Sequence, residues 1–202
     1  MQDTFTKKNP WEGRDSRVTL KGGKVRLAMT VDMDRCIGCF SCEISCKMQK
    51  DLPVGPRLMR VIQIGPYKVK AHGSYQLRTA YVPMNCRQCE PAPCIEVCPT
   101  GAMQRREQDG IVFVSEELCI GCKSCIAACP FGAPQLNPNT GKVIKCDYCM
   151  DRLDQDLLPA CVTKCSMDAL RFGDVNELST LNREKHVRML TADLFNWTKN
   201  QV

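Results

Sequence analysis

Eleven residues, Cys119-Ile-Gly-Cys122-Lys-Ser-Cys125-Ile-Ala-Ala-Cys129, carry four cysteines separated by two, two and three residues, and Pro130 follows them. No other stretch restricts the chain as much, because four thiols this close must share one chemistry. The pattern recurs upstream. Cys36-Ile-Gly-Cys39-Phe-Ser-Cys42-Glu-Ile-Ser-Cys46 matches it at seven of eleven positions, including the Ile-Gly pair, so the chain contains an internal repeat. Two looser runs complete the set: Cys86, Cys89, Cys94 and Cys98, followed by Pro99, and Cys146, Cys149, Cys161 and Cys165. All 16 cysteines fall into these four groups of four.

Three closely spaced sulfurs can wrap one cubane iron-sulfur cluster, whereas the fourth cannot reach the same cube and must serve another. Each run therefore predicts a partner run, and four [4Fe-4S] clusters leave no thiol over. Nested and sequential pairing of the runs both satisfy the spacing. A disulfide framework is disfavoured, since cysteines two residues apart rarely bridge and Met1–Arg17 is polar, unlike a signal segment. Structural zinc is the closer rival, but zinc takes its four sulfurs as two pairs, and the tight runs offer a triplet and a singlet.

Composition fits bound metal. The 44% hydrophobic content counts the cysteines, so the apolar core of these 202 residues is thin and ligated metal must supply part of the stability. The formal charge of +6 falls to about −2 once sixteen thiolates and four cubes of +2 are included. With 6% aromatic residues and no basic stripe among them, nucleic-acid binding is not expected. No apolar run approaches the roughly 18 residues of a bilayer span, and a twin-arginine export signal is not expected. The default expectation is a cytoplasmic chain, with co-export to the periplasm on a partner left open.

In chain order, residues 1–24 read as a terminal arm, with Trp11 its one large apolar group. Val25, Leu27 and Met29 predict a strand, Cys42–Gln49 a short helix, and Leu58–Ile64 and Ser74–Val82 a strand pair. Ile111–Val114 and Ala169–Phe172 predict further strands, and Asn137-Pro-Asn-Thr-Gly141 a hairpin turn. Asp174 and Glu177 resemble a capping box opening a helix to about Lys185. Val187, Leu190, Leu194 and Trp197 then form an apolar stripe expected to cover the chain's own core.

The order tight, loose, tight, loose, with Cys-Pro closing the second and third runs, resembles the four-cluster ferredoxin-like subunits of molybdopterin oxidoreductases. Gly132-Ala-Pro-Gln135 and Lys145-Cys-Asp-Tyr-Cys-Met-Asp-Arg152 resemble the dimethyl sulfoxide reductase type most. The resemblance covers roughly residues 25–175. It implies an α+β fold of two bacterial-type two-cluster ferredoxin domains, one nested inside the other, with extended terminal arms. Residues 25–79 and 136–175 would form the outer domain, 80–135 the inserted one, and 176–202 a helix and docking tail. It also implies nested ligation: Cys36, Cys39, Cys42 and Cys165; Cys46, Cys146, Cys149 and Cys161; Cys86, Cys89, Cys94 and Cys129; Cys98, Cys119, Cys122 and Cys125. Lys47 and Ser166 depart from the pattern by standing where the other two runs have proline. The hydrophobic C-terminal anchor of some formate dehydrogenase relatives is not found, so direct membrane attachment is not expected.

Fully ligated cubes have no iron open to substrate, which makes the expected role a wire for single electrons. Neither a phosphate-binding loop, a dinucleotide fingerprint nor a haem motif is present, and His72 and His186 stand alone, so catalysis is assigned to a partner. The expected partners are a large molybdenum- or tungsten-pterin subunit and a second electron donor or acceptor protein. A tungsten aldehyde oxidoreductase or a hydrogenase would use the same wire, and a zinc-stapled interaction module is the alternative of another class. Arg35, Lys47, Arg87, Lys123, Lys145 and Lys164 flank the runs and are candidates for raising cluster potentials.

Overall fold

The computed structural model describes residues 25–71 and 74–191. The expectations for the arm at 1–24, for Trp11, for His72 and for Leu194 and Trp197 lie outside the described residues.

Four two-stranded antiparallel sheets and a set of short helices carry the cysteine loops. Strand β1 (Leu27–Val31) buries Leu27 and Met29 on one face and pairs with β8 (Leu170–Asp174), so that Leu27 faces Asp174 and Val31 faces Leu170. The two ends of the described cysteine region therefore meet in one sheet. Strands β2 (Arg60–Ala71) and β3 (Ser74–Met84) form a long hairpin: β2 begins two residues later than the sequence pattern and runs on to Ala71, and β3 runs two residues further, to Met84, which pairs with Arg60. The remaining pairs are β4 (Met103–Arg105) with β5 (Val112–Val114), and β6 (Gln135–Leu136) with β7 (Val143–Ile144). β4 was not expected; three residues are too few for alternation to stand out.

Helix α1 (Ser41–Gln49) carries the last two cysteines of the first tight run, Cys42 and Cys46. The four helices α2 (Pro93–Glu96), α3 (Ser124–Ala128), α4 (Met150–Leu153) and α5 (Ala160–Thr163) are four or five residues long, too short for a helical period. Helix α6 (Val175–Leu190) is capped by Asp174, whose carboxylate accepts from the amides of Asn176 and Glu177. It runs five residues past the expected end at Lys185, and it corrects the reading of its stripe: Val187 and Leu190 are exposed, and Leu178 is its buried residue.

Two apolar clusters hold the loops. The larger joins Leu27, Met29, Leu58, Met59, Val61, Leu153 and Leu170 to cysteines of the first and fourth runs; the smaller joins Met103, Val143 and Ile126 to cysteines of the second and third. Cysteine sulfurs thus make up much of the interior, which accounts for how few aliphatic side chains the core contains.

Candidate metal centre

Each Cys-x-x-Cys loop passes through the left-handed region at the residue before its second cysteine: Gly38 (φ 69°), Gln88 (φ 49°), Gly121 (φ 69°) and Tyr148 (φ 54°). Glycine meets that need in the tight runs. A Cβ on Gly38 would strike the ring of Tyr81, and one on Gly121 the carbonyl oxygen of Gly141. In the looser runs a side chain offsets the backbone cost of about 1–2 kcal/mol. Gln88 donates to the Cys146 carbonyl at 2.9 Å and accepts from the Val112 amide at 2.8 Å. Tyr148 is buried edge-on against Phe172, ring centroids 5.1 Å apart. Sequence reasoning missed Gln88 and Tyr148, although they occupy the same offset in their runs as the two glycines.

The loops enclose four cavities. Cys36, Cys39, Cys42 and Cys165 line the first, with Val61 and Pro83; Cys46, Cys146, Cys149 and Cys161 the second, with Met59 and Lys50. Cys86, Cys89, Cys94 and Cys129 line the third, with Lys145; Cys98, Cys119, Cys122 and Cys125 the fourth, with Met103 and Val143. Every candidate ligand named from the sequence lies on one of these walls. The empty space, which is partly open to solvent, is similar in all four, about 340, 300, 370 and 310 Å³ respectively.

Among the described residues, no three His, Cys, Asp or Glu side chains converge on a point that would hold one metal ion. Sulfurs ringing a hollow would fit a group of several metal atoms. Main-chain amides also point at the sulfurs: Gln88 to Cys86 at 3.4 Å, Met103 to Cys98 at 3.5 Å, Val143 to Cys119 at 3.4 Å and Ala169 to Cys165 at 3.2 Å. Such donors stabilise ligating thiolates and the negative charge of a cluster.

Neighbouring cavities share elements. The first two share α1, which gives Cys42 to one and Cys46 to the other, and the loop of α5, which gives Cys161 and Cys165. Gln88, on the wall of the third, bonds to Cys146 on the wall of the second. The third and fourth share the α2 segment with Cys94 and Cys98, and the α3 segment with Cys125 and Cys129.

Burial first, and then a neighbouring sulfur, pushes the Cys42 thiol up to about 12, Cys46 to about 11 and Cys146 to about 12, and holds Cys161 well above the usual range. Metal coordination is what removes protons from thiols held this high. Cys39 and Cys122 differ. Both are exposed, and both titrate lower than usual because the hydroxyl and amide of Ser41 and of Ser124, respectively, stabilise the thiolate. They occupy equivalent positions in the two tight runs.

Of the six flanking basic residues, Lys145 alone is buried, and its ammonium donates to the carbonyls of Val112 and Cys146, the latter at 2.9 Å. Lys47 instead ties off the carbonyls of Pro53 and Pro56, and Arg35 lies beside Asp32 and Asp168. Arg87, Lys123 and Lys164 are exposed. Glu43, which sequence reasoning did not single out, is buried on α1 between the two cysteines of its helix, where it accepts from the Val61 amide and from Arg57 at 3.3 Å.

Residues 77–175 match the model of the 4Fe-4S dicluster domain family. The chain is similar to a component of the anaerobic dimethyl sulfoxide reductase of Escherichia coli K12, 41% identical over 165 residues that cover 77% of this chain and 75% of that one. It is similar to the thiosulfate reductase electron transfer subunit of Salmonella typhi, 44% identical over 151 residues, 74% and 76% of the two chains. A tetrathionate reductase subunit of Salmonella typhimurium is 41% identical over 152 residues, 75% of this chain and 59% of that one.

Proposed function

Because the chain belongs to the iron-sulfur electron-transfer subunit family of dimethyl sulfoxide, thiosulfate and tetrathionate reductases, we propose that it carries four [4Fe-4S] clusters in a row. In this reading it relays single electrons between a molybdenum- or tungsten-pterin catalytic subunit and a second redox protein. The observation that carries the count is the division of all sixteen cysteines among four cavities of similar size, four to each. A cube held by four cysteines takes up and gives back one electron without exposing an iron to substrate. The chain itself performs no substrate chemistry.

The chain's own residues would do three things. Sixteen thiolates would hold the clusters, with the amides of Gln88, Met103, Val143 and Ala169 stabilising their charge. The shared segments α1, α2, α3 and α5 would keep neighbouring clusters at fixed spacing, which supports passage from the first cavity through the second and third to the fourth. Exposed Cys39 and Cys122 would place the two ports at the terminal cavities, while buried Cys46, Cys149 and Cys161 shield the second from water. An outer ferredoxin unit of residues 25–79 and 136–175 around an inserted unit of 80–135 accounts for the β1–β8 pairing, and the β6–β7 hairpin ties the two together.

Among the described residues no helix is long and apolar enough to cross a membrane. The side of the membrane on which the chain works follows the partner.

Anaerobic purification of the native complex, with iron, acid-labile sulfide and pterin-metal analysis, tests the proposal. About 16 iron atoms per chain and a molybdenum- or tungsten-bearing large subunit are expected. Zinc without sulfide, or a complex with no second redox protein, would overturn it.

A further inference from the structure

The β2–β3 hairpin leaves the body of the protein early. At its root Val61 and Pro83 are buried and line the first cavity, and Tyr81 packs edge-on against Phe40, centroids 6.4 Å apart. From Gly65 to Lys70 and from Ser74 to Thr79 every residue is exposed except half-buried Gly65. Tyr67, Tyr75 and Leu77 are 64%, 66% and 74% exposed.

The register sorts these side chains. Ile62, Ile64, Tyr67 and Val69 lie along one face with Val82, Ala80, Arg78 and Gln76 opposite them, while Lys68 and Lys70 lie on the other face beside Leu77 and Tyr75. The β2 row of this face is thus a nearly continuous apolar stripe, bordered on β3 by Arg78 and Gln76 and backed by Lys68 and Lys70. An isolated two-stranded hairpin is marginally stable in water at best, so an arm reaching about 25 Å into solvent needs a surface to lie on.

Charge identifies that surface. From Leu52 to Cys89 the chain has six Lys and Arg residues and no Asp or Glu, four of the six on the hairpin, although the whole loaded chain would be near neutral. We propose that the β2–β3 hairpin is a docking arm for an acidic, apolar-centred protein surface on the redox partner that exchanges electrons at the Cys39 end of the row. The partner's redox role rests on the function proposed above; the arm's preference for an acidic protein rests on its own residues. A lipid bilayer suits it less, because a two-stranded sheet would bring unpaired strand edges into hydrocarbon. Single-stranded nucleic acid suits it less as well, because Tyr67 and Tyr75 stand on opposite faces and form no stacking platform. Since the arm's root walls the first cavity, a partner gripped along the stripe is brought to the side of the protein where Cys39 is exposed.

The test uses the full chain in its native complex, with a photo-crosslinking amino acid at Tyr67 or Val69. The expected adduct joins the arm to an Asp/Glu-rich peptide of a cofactor-bearing partner chain. In a second arm, K68E/K70E/R78E lowers recovery of that partner about tenfold or more at physiological salt, with iron per chain unchanged, since like charges across an interface cost several kcal/mol. Adducts to a second copy of this chain, binding of the wild type to phosphatidylglycerol vesicles that the triple variant loses, or undiminished recovery of the partner would overturn the proposal. The two readings fail separately: an adduct to an acidic protein in a chain without iron and sulfide would sink the relay and leave the arm, and sixteen irons with no adduct would do the reverse.

Discussion

The ammonium of Lys50 lies 2.9 Å from a carboxylate oxygen of Asp147, joining the end of α1 to the loop between Cys146 and Cys149, 97 positions away in the chain. A second carboxylate, Asp151, lies 2.7 Å from the same nitrogen but is half exposed, so the closer-packed Asp147 carries most of the interaction. Burial works against charge on Lys50, yet the two carboxylates outweigh it and raise its pKa. Lys50 also lines the second cavity, so this pair closes one side of a cysteine quartet drawn from two distant runs.

Lys50→Met should therefore leave Asp147 partly buried without its cation and cost about 1–3 kcal/mol. The check is the denaturant midpoint of the loaded protein, followed together with iron release under chelation. The variant should unfold earlier and lose iron in a first step of about four atoms per chain, from the second cavity. A single loss of all iron at the wild-type midpoint would contradict this.

Cysteine variants separate the pairings that spacing leaves open. Cys46→Ser and Cys149→Ser, from runs about 100 residues apart, should abolish the same cluster signal in electron paramagnetic resonance, since both line the second cavity. Cys42→Ser, only one helical turn from Cys46, should remove a different one. If Cys42 and Cys46 variants lose the same signal, the row of quartets is wrong.

Lys145 offers a test of potential tuning. It is buried on the wall of the third cavity, and its known acceptors are two neutral carbonyls, one of them that of Cys146 beside the second cavity. A cation so placed favours the reduced, more negative state of any cluster nearby. Lys145→Gln, with iron content verified as unchanged, should lower the midpoint potential of at least one of the two inner clusters by roughly 60–120 mV, the worth of a unit charge several ångströms away at an effective dielectric near 20–40. Lys164→Gln, on an exposed side chain that lines none of the four cavities, serves as the control and should shift none measurably.

What could be read from the sequence divides along a physical line. That cysteines of different runs would meet was legible because the fourth sulfur of a tight run cannot reach the hollow that its first three surround, and the capped start of α6 because Asp174 acts on amides within one turn. The helices α2 to α5 were not, since a four-residue helix has no period and is held by the loops around it. Gln88 and Tyr148 escaped because a left-handed position filled by a non-glycine depends on distant partners, Cys146, Val112 and Phe172, that spacing does not reveal. The stripe on α6 misled for the converse reason: regular spacing of Val187 and Leu190 says that a face exists, not that anything in the chain covers it.

Helix α6 is fastened by charge at its middle, and this fixes its response to pH. Lys185 lies 2.9 Å from Asp32, at the end of β1, and 3.1 Å from exposed Asp34. Burial tends to raise the Asp32 pKa, but the hydrogen bond and charge of Lys185 overcome this and leave it below 3.8; burial opposes the charge on Lys185, but the two carboxylates raise its pKa above 10.5. A depressed carboxyl gives stability that is present above its unfolded pKa and lost as pH falls through the folded value. A raised ammonium gives stability that is present below its unfolded pKa and lost as pH rises through the folded value. The helix should therefore be held most firmly between about pH 4 and 10, and loosen on either side. Amide hydrogen exchange in residues 179–190, corrected for its intrinsic pH dependence, should show this plateau in the wild type. Lys185→Met should flatten it at a lower protection, by less than about 1 kcal/mol because the pair is near the surface. A wild-type profile that keeps rising or falling across the plateau would mean that Leu178 and the β8 junction, not this ion pair, set how tightly the helix is held.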